Sequence, residues 1–357
     1  MKTQKQSIGI DISKDTFTAC FCLLYQDGRL QFSDVKKFKN DKTGFNQLLR
    51  WSRKVKDSSI EISFLMEATG VYYENLAYHL YDVKQQVHVV LPNTSKHYFA
   101  SLNIKTKTDE LDAKILSQFG VERMHKKWIK PNQTYLHLRN LCRYYVQLQE
   151  QKTALGNIKH SKENSHEVQK LILKSNNKLI KEIDKQIALL KKEIENLIKQ
   201  DVDLSAKVDK LLTIKGVGVL TIATVISETL GFQFVKNIKQ LASYAGYDVV
   251  QRESGTSIKG KTRISKKGNS YIRKALYFPA MVACRYNDNM KESYLRIIQK
   301  KPSKMIGQVA IQRKLLILMY TLWKNNTVYD SEYAKKKIAP PINSEAKQDR
   351  VIETTLP

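Results

Sequence analysis

Residues 6–38, QSIGIDISKDTFTACFCLLYQDGRLQFSDVKKF, decide how the first third of this chain folds. Runs 6–12, 16–25 and 29–38 read as three successive strands, because aliphatic and aromatic residues dominate them and Asp27-Gly28 supplies a turn between the second and third. Cys20 and Cys22 alternate onto one face of the second strand and read as core. Outward from there, a helix fits 42–56, opened by Asp41 or Thr43. A strand fits 60–66, a helix 71–82, and a strand 87–91 that Pro92-Asn93 ends; two more helices fit 93–103 and 108–120. Strands in sequence followed by alternating helices and strands predict a mixed α/β sheet covered by helices.

The order of these elements resembles that of a ribonuclease-H-like, RuvC-like fold. From about 132 to 206 strand signals vanish. Ile180, Ile183, Ile187, Leu190, Ile194 and Leu197 alternate steps of three and four, which is a heptad seam. Such a seam serves a helix packed on its own domain, an antiparallel helical hairpin, or a coiled-coil dimer contact. At LLTIKGVGVLTIATVISETLG (211–231) the chain turns apolar again. Gly216 and Gly218 between two helical stretches resemble a helix-hairpin-helix, where glycines let backbone amides approach a phosphate; a plain helical turn is the other reading. Helical patterns return at 271–285 and 303–325, and the tail from Ala339 is polar and reads as disordered. The expected domains are an α/β catalytic domain over 1–130, a helical spacer over 131–206, a mainly helical domain over 207–330 and a flexible tail over 331–357.

Lys and Arg outnumber Asp and Glu by 61 to 34 among the 357 residues, a formal charge of +27. That excess favours polyanionic partners. No uninterrupted apolar run approaches the ~18 residues of a spanning helix. The stretch near Val217–Ile226 is short and flanked by Lys215 and Glu228, and the N-terminus enters a strand without a secretory apolar region. Nucleic acid rather than membrane is the expected partner. Cys20, Cys22, Cys142 and Cys284 lack zinc-site spacing and point to a reducing, cytoplasmic compartment.

In so basic a chain, four acids stand out. Asp11 lies in SIGIDISKD and Glu67 ends the apolar run of ISFLMEATG. Asp109 and Asp112 share TKTDELDAKIL, three apart and so on one helix face. Clustered carboxylates repel one another and resist ionisation. Two Mg²⁺ ions about 4 Å apart would neutralise them and clamp a phosphodiester. Oxygen ligands favour Mg²⁺ or Mn²⁺ over Zn²⁺. The bland reading of Asp109 and Asp112 is a helix N-terminus whose dipole favours acids. Asp11 resists that reading, because an unpaired buried carboxylate costs several kcal/mol.

A second constellation is basic. Arg252, Lys259, Lys261, Arg263, Lys266, Lys267, Arg273 and Lys274 stand within 23 residues against Glu253 alone. Phosphate binding by a solvated loop accounts for them. Four serines, Ser254, Ser257, Ser265 and Ser270, lie among them, and a serine surrounded by cations could attack a phosphodiester. No histidine follows His166, so a local Ser-His pair is excluded and an activating base would come from elsewhere. Ser254, with Gly255 behind it, is the best placed.

Together the two constellations resemble the DEDD-type insertion-sequence transposases, the bridge-RNA-guided recombinases whose relatives include the pilin-gene invertases. The resemblance runs over about residues 6–325. It rests on GIDISKD, LMEATG and KTDELDAKIL, then LLTIKGVG, YAGYDVVQRESG and ISKKGNSYIRKAL. The chain departs from the family pattern at Val249, where a proline is usual. The resemblance implies a metal quartet at Asp11, Glu67, Asp109 and Asp112 and a nucleophilic serine at Ser254. It also implies cutting and rejoining of DNA without ATP, a structured guide RNA, and dimers that pair into tetramers with acids and serine contributed by different subunits. Tyr98, Phe99, Trp128, Tyr144 and Tyr145 are compatible with RNA stacking. The competing expectation is a Holliday-junction endonuclease that hydrolyses with the metal site alone. A degenerate, non-enzymatic nucleic-acid-binding protein conflicts with the presence of all four acids. An actin-like ATPase would need glycine-rich nucleotide loops that the sequence lacks.

Overall fold

The computed structural model describes residues 2–167, 169–251, 253–254, 258–260, 262–300 and 303–333. The chain divides into two compact units, Met1–Lys130 and Pro131–Pro357.

The first unit is built on β1 (Thr3–Ile12), β2 (Thr16–Tyr25), β3 (Leu30–Phe32), β4 (Lys36–Lys39), α1 (Lys42–Val55), β5 (Ile62–Glu67), α2 (Glu74–Asp82), β6 (Gln86–Val90), α3 (Pro92–Ser101) and α4 (Asp109–Glu122). Its sheet runs β3-β2-β1-β5-β6, with β4 also paired to β2. β1 lies antiparallel to β2 and parallel to β5, and β5 is parallel to β6. The expected third strand is thus two short ones. Ser33 explains the break: its hydroxyl takes the Phe21 N–H at 3.1 Å, a place a backbone carbonyl would fill in a continuing ladder.

β1 is buried on both faces, which is why it reads as a near-continuous apolar run. Ile8 and Ile10 join Phe17, Phe64, Phe45, Leu48, Trp51, Leu76 and Leu80 in the core under α1 and α2. On the opposite face, Leu65, Val90, Tyr98, Leu116 and Phe119 form the core with α3 and α4. Gly9 faces α4, and a β-carbon there would stand 2.0 Å from the Ser117 nitrogen and 2.4 Å from the Ala113 oxygen. Only glycine permits this approach of helix to strand. Cys20 and Cys22 are buried, as their alternation indicated.

The second unit comprises α5 (Gln133–Glu163), α6 (Lys170–Gln200), α7 (Val202–Leu212), α8 (Val219–Glu228), α9 (Ile238–Tyr244), β7 (Val249–Val250), β8 (Glu253–Ser254), β9 (Ile258–Lys259), β10 (Arg263–Ile264), α10 (Ser270–Tyr286), α11 (Asp288–Gln299) and α12 (Lys304–Asn325). It is mostly helical. α5 and α6 form an antiparallel hairpin, tied by Lys152–Asp184 at 2.5 Å and by the Asn176 side chain donating to the Leu155 carbonyl at 2.8 Å. The seam residues Ile187 and Ile194 are buried, and Ile180, Ile183, Leu190 and Leu197 are half-buried. The foot of the hairpin, with Leu138, Cys142, Ile194 and Ile198, belongs to the same core as Leu211, Ile226, Leu276 and Leu315. The seven-residue α9 and the two-residue strands escaped the sequence reading, because elements that brief carry almost no periodicity; the twelve-residue α11 was also missed, although it is amphipathic.

Among the described residues no helix is long and apolar enough to cross a membrane.

Candidate active site: an acidic cluster and a serine ribbon

The acids converge because of how β1 and α4 meet. Asp11 is two residues beyond Gly9 on the same strand and therefore on the α4 side of the sheet. Thr108 caps α4 by accepting the Leu111 N–H at 3.2 Å, so that Asp109, Glu110 and Asp112 form its first turn. Ala113, whose carbonyl rests on Gly9, is next to Asp112. Glu67 closes β5, the strand beside β1. Asp112 is buried, Asp11 and Glu67 are half-buried, and Asp109 and Glu110 are exposed.

The electrostatics show that the four carboxylates feel one another. Burial pushes the Asp11 carboxyl up to about 6, and Asp112, Asp109 and Glu67 add to the rise. Burial also raises Asp112; the Lys107 ammonium, 4.0 Å away, pulls it back, and Asp109 and Glu67 push it up further. Lys107 itself faces solvent. Among the described residues, no three His, Cys, Asp or Glu side chains stand close enough to ligate one ion directly. The donor set nevertheless fits a hard divalent cation. It is all carboxylate oxygen, and its mutual repulsion is what such an ion relieves. A groove of about 490 Å³ lined by Thr18, Val35, Lys37, Thr108, Asp109 and Glu110 opens beside Asp109.

Glu67 has partners the sequence did not reveal. Ser95 of α3 donates to its Oε2 at 2.5 Å, and Thr69 donates to its Oε1 at 3.2 Å. Thr69 stands two residues on in the same motif, so a turn after the strand could have suggested it. Nothing in PNTSKHY marks Ser95.

The described part of the basic segment forms two short antiparallel strand pairs. Val249 and Val250 pair with Ile264 and Arg263, and Glu253 and Ser254 pair with Lys259 and Ile258. Ser254 thus lies on β8, and Lys259 on β9. Arg252 and Lys261 lie outside the described residues. The β7–β10 pair is pinned where the Ser265 hydroxyl donates to Asp248 Oδ1 at 2.6 Å and the Ser265 N–H to the Asp248 carbonyl at 2.8 Å. Arg263, Lys266 and Lys267 are exposed. Arg273 is differently employed: half-buried, it donates to the carbonyls of Ala245 at 2.7 Å and Asn269 at 3.3 Å.

The same unit holds a buried polar network. The side chain of Glu228, at the end of α8, is fully enclosed and receives Arg143 Nε at 2.6 Å, Arg143 Nη2 at 2.8 Å and Asn269 Nδ2 at 2.6 Å. Asn269 also caps α10, and Tyr244 donates to the Glu228 carbonyl at 2.8 Å. An acid inside VISETLG with a matching arginine on a distant helix was the available signal, but pairing across 85 residues cannot be read from spacing.

Three expectations need correction or division. Gly216 has φ +95°, and a β-carbon on it would stand 3.2 Å from both the Ala283 nitrogen and Val282 Cγ1. The side on which a β-carbon would stand is filled by α10, and the positive φ makes the turn, so packing and turn geometry both call for glycine here. Gly218 is exposed with open space beside it, at the N-cap of α8. Tyr98 is no stacking platform: it is buried, stacked on Phe119 with centroids 4.1 Å apart, and donates to Glu122 at 2.8 Å. Trp128 packs edge-on against Tyr78 and Tyr81, whereas Tyr144 remains exposed.

Comparison with known proteins gives consistent matches. Residues 8–161 match the DEDD-type IS110 transposase family, and residues 208–295 match the transposase IS116/IS110/IS902 family. The chain is 31% identical over 332 residues to the pilin gene-inverting protein of Moraxella lacunata, covering 91% of this chain and 98% of that protein. The pilin gene-inverting protein of Moraxella bovis is 30% identical over 329 residues, with the same coverage. A probable family 20 transposase of Pseudomonas aeruginosa is 25% identical over 154 residues, 41% of this chain and 43% of that one. The two family regions contain all four acids and Ser254 respectively. This chain therefore belongs to the DEDD-type IS110 transposases.

Proposed function

We propose that this protein is a transposase or recombinase that cuts DNA at the ends of a mobile element and at a target and rejoins the strands. The observation that carries the reading is the acidic cluster. Asp11, Glu67, Asp109 and Asp112 lie on neighbouring elements, β1, β5 and α4, and Asp11 is raised to about 6 by burial, with the charges of the other three acids adding to the rise. A strongly basic protein that keeps such a cluster has a use for cations beside a polyanion.

In this reading the first unit is a RuvC-like domain. Asp11, Glu67, Asp109 and Asp112 hold Mg²⁺, for which Mn²⁺ can substitute. When bound, the ions screen the scissile phosphate and stabilise the charge that develops on its oxygens. Ser254 supplies the nucleophile. Its oxygen forms a bond to phosphorus, the bridging phosphorus–oxygen bond of the strand breaks, and the departing sugar oxygen gains the proton the serine loses. The number of phosphodiester bonds is unchanged, so a second strand's hydroxyl can reverse the step and no ATP is consumed. Arg263, Lys266 and Lys267, with Arg252, Lys259 and Lys261, hold the DNA backbone, and the exposed Gly218 at the N-terminus of α8 offers amides to a phosphate in helix-hairpin-helix fashion.

The α5–α6 hairpin acts as a coiled-coil element joining copies into dimers that pair as tetramers, and Ser254 is supplied by a subunit other than the one holding the phosphate. A structured RNA from the element selects both DNAs by base pairing, its backbone attracted by the +27 charge. The test is strand transfer with element-end DNA and co-purified RNA in Mg²⁺. Asp11→Asn, Glu67→Gln and Asp112→Asn should each abolish product while leaving DNA binding intact. Product formation by Asp11→Asn would contradict the proposal. Cleavage without rejoining that survives Ser254→Ala would favour hydrolysis by water.

A further inference from the structure

Buried serines in helices ordinarily satisfy themselves by donating to a carbonyl one turn back. Ser52 does so to Leu49 at 2.9 Å, Ser117 to Lys114 at 2.7 Å and Ser227 to Thr224 at 3.1 Å. Ser95, completely enclosed in α3, has the same option at the Pro92 carbonyl, 3.0 Å away. Its hydroxyl instead lies closest to Glu67 Oε2, at 2.5 Å. A hydroxyl has one proton, so the carboxylate wins it: an ionised acceptor makes the stronger bond. The second carboxylate oxygen is held by Thr69 at 3.2 Å, on the exposed loop after β5.

We propose that Ser95 is a positioning residue for Glu67, fixing the rotation of that carboxylate so that its remaining lone pairs face the other three acids. The inference rests on the metal reading of the acidic cluster. Each carboxylate oxygen has two lone pairs, so a bond from Ser95 leaves one on Oε2 for a cation. Ser95 is shielded from water, so its bond is not exchanged for a solvent one, whereas Thr69 competes with solvent and contributes less. Partners that orient a metal-ligating carboxylate typically sustain tenfold to a hundredfold in metal affinity.

The experiment is a Mn²⁺ titration of the purified full chain without nucleic acid, read by calorimetry or by the resonance signal of free Mn²⁺. Ser95→Ala should weaken Mn²⁺ binding by roughly tenfold or more, with a metal-free melting temperature no lower than that of Ser52→Ala, which removes a comparable buried hydroxyl far from the acids. Ser95→Cys keeps the volume with a poor donor and should weaken binding likewise, which covers the case in which the alanine variant fails to fold. Ser95→Thr restores the hydroxyl and should recover most of the affinity. Binding by Ser95→Ala within twofold of the parent, while Asp11→Asn loses it, would overturn the role of Ser95 and leave the metal site standing. Equal weakening in Ser52→Ala would overturn it too, as general loosening. Parental Mn²⁺ binding by Asp11→Asn would overturn the metal reading and this inference with it.

Discussion

Gly9 on β1 lies directly against Ala113 on α4: a β-carbon on Gly9 would stand 2.4 Å from the Ala113 carbonyl oxygen. This contact brings the Asp11 strand and the Asp112 helix turn together. Gly9→Ala must push α4 off the sheet, because the obstructing atoms are backbone. The expected loss is about 3 kcal/mol, at the upper end for overpacking, with the acidic cluster spread apart. A denaturant melt of the variant checks this, and an unchanged midpoint would contradict the packing.

The Arg143–Glu228 pair makes a second prediction. Glu228 is fully enclosed, while Arg143 is partly exposed. Arg143→Met should cost about 3 kcal/mol, since it strands a buried carboxylate with Asn269 as its remaining side-chain donor. Arg143→Met combined with Glu228→Gln should cost less than the single arginine change, because no buried charge is left behind. Urea unfolding of these two variants and of Glu228→Gln alone distinguishes this from a pair whose members act independently.

The basic residues divide into two classes that salt titration separates. Lys266 and Lys267 are exposed, so alanine at either should reduce the slope of log affinity against log salt by about 1 and leave stability unchanged. Arg273 holds the Ala245 and Asn269 carbonyls. Arg273→Ala should lower the melting temperature instead, and a variant that changed only the salt slope would contradict that assignment.

His88 and His125 carry a pH signature. They lie with ring centroids 6.1 Å apart, and burial lowers the pKa of both below the usual 6.5. Above that pH both folded and unfolded chains hold them neutral, and they contribute no pH dependence. As the pH falls through 6.5, the unfolded chain takes up protons that the folded unit refuses, so stability drops until the lowered folded values are passed. Asp11, raised to about 6, works in the opposite sense, because the folded form takes its proton first as pH falls. The histidine term is therefore read as a difference. Between pH 7.5 and 5.5 the parent should lose more melting temperature than His88→Gln/His125→Gln does, and parallel curves would contradict it.

How much of this was legible in the chain follows from the range of each interaction. The strands around Asp11 and Glu67 could be read because β1 and β5 are buried on both faces and so appear as apolar runs ending in an acid. The start of α4 could be read from Thr108 and the acids behind it. The break at Ser33 could not, since it depends on a side chain replacing a backbone partner across the ladder. Gly216 shows a similar limit. A GxG before an apolar helix has the same spacing whether or not another helix packs against the glycine, as α10 does here. Ser95 and the Arg143–Glu228 pair are contacts between distant segments, invisible to any periodicity.

The central claim is that the acids and Ser254 act on one phosphodiester. It is tested most directly by incubating the protein, with any RNA that co-purifies, and element-end DNA with Mg²⁺, denaturing, digesting, and locating any phosphate-linked peptide by mass spectrometry. The account predicts a nucleotide joined through phosphate to Ser254, absent in Asp11→Asn and in Ser254→Ala. A linkage at another residue, or an adduct that persists in Ser254→Ala, would contradict it.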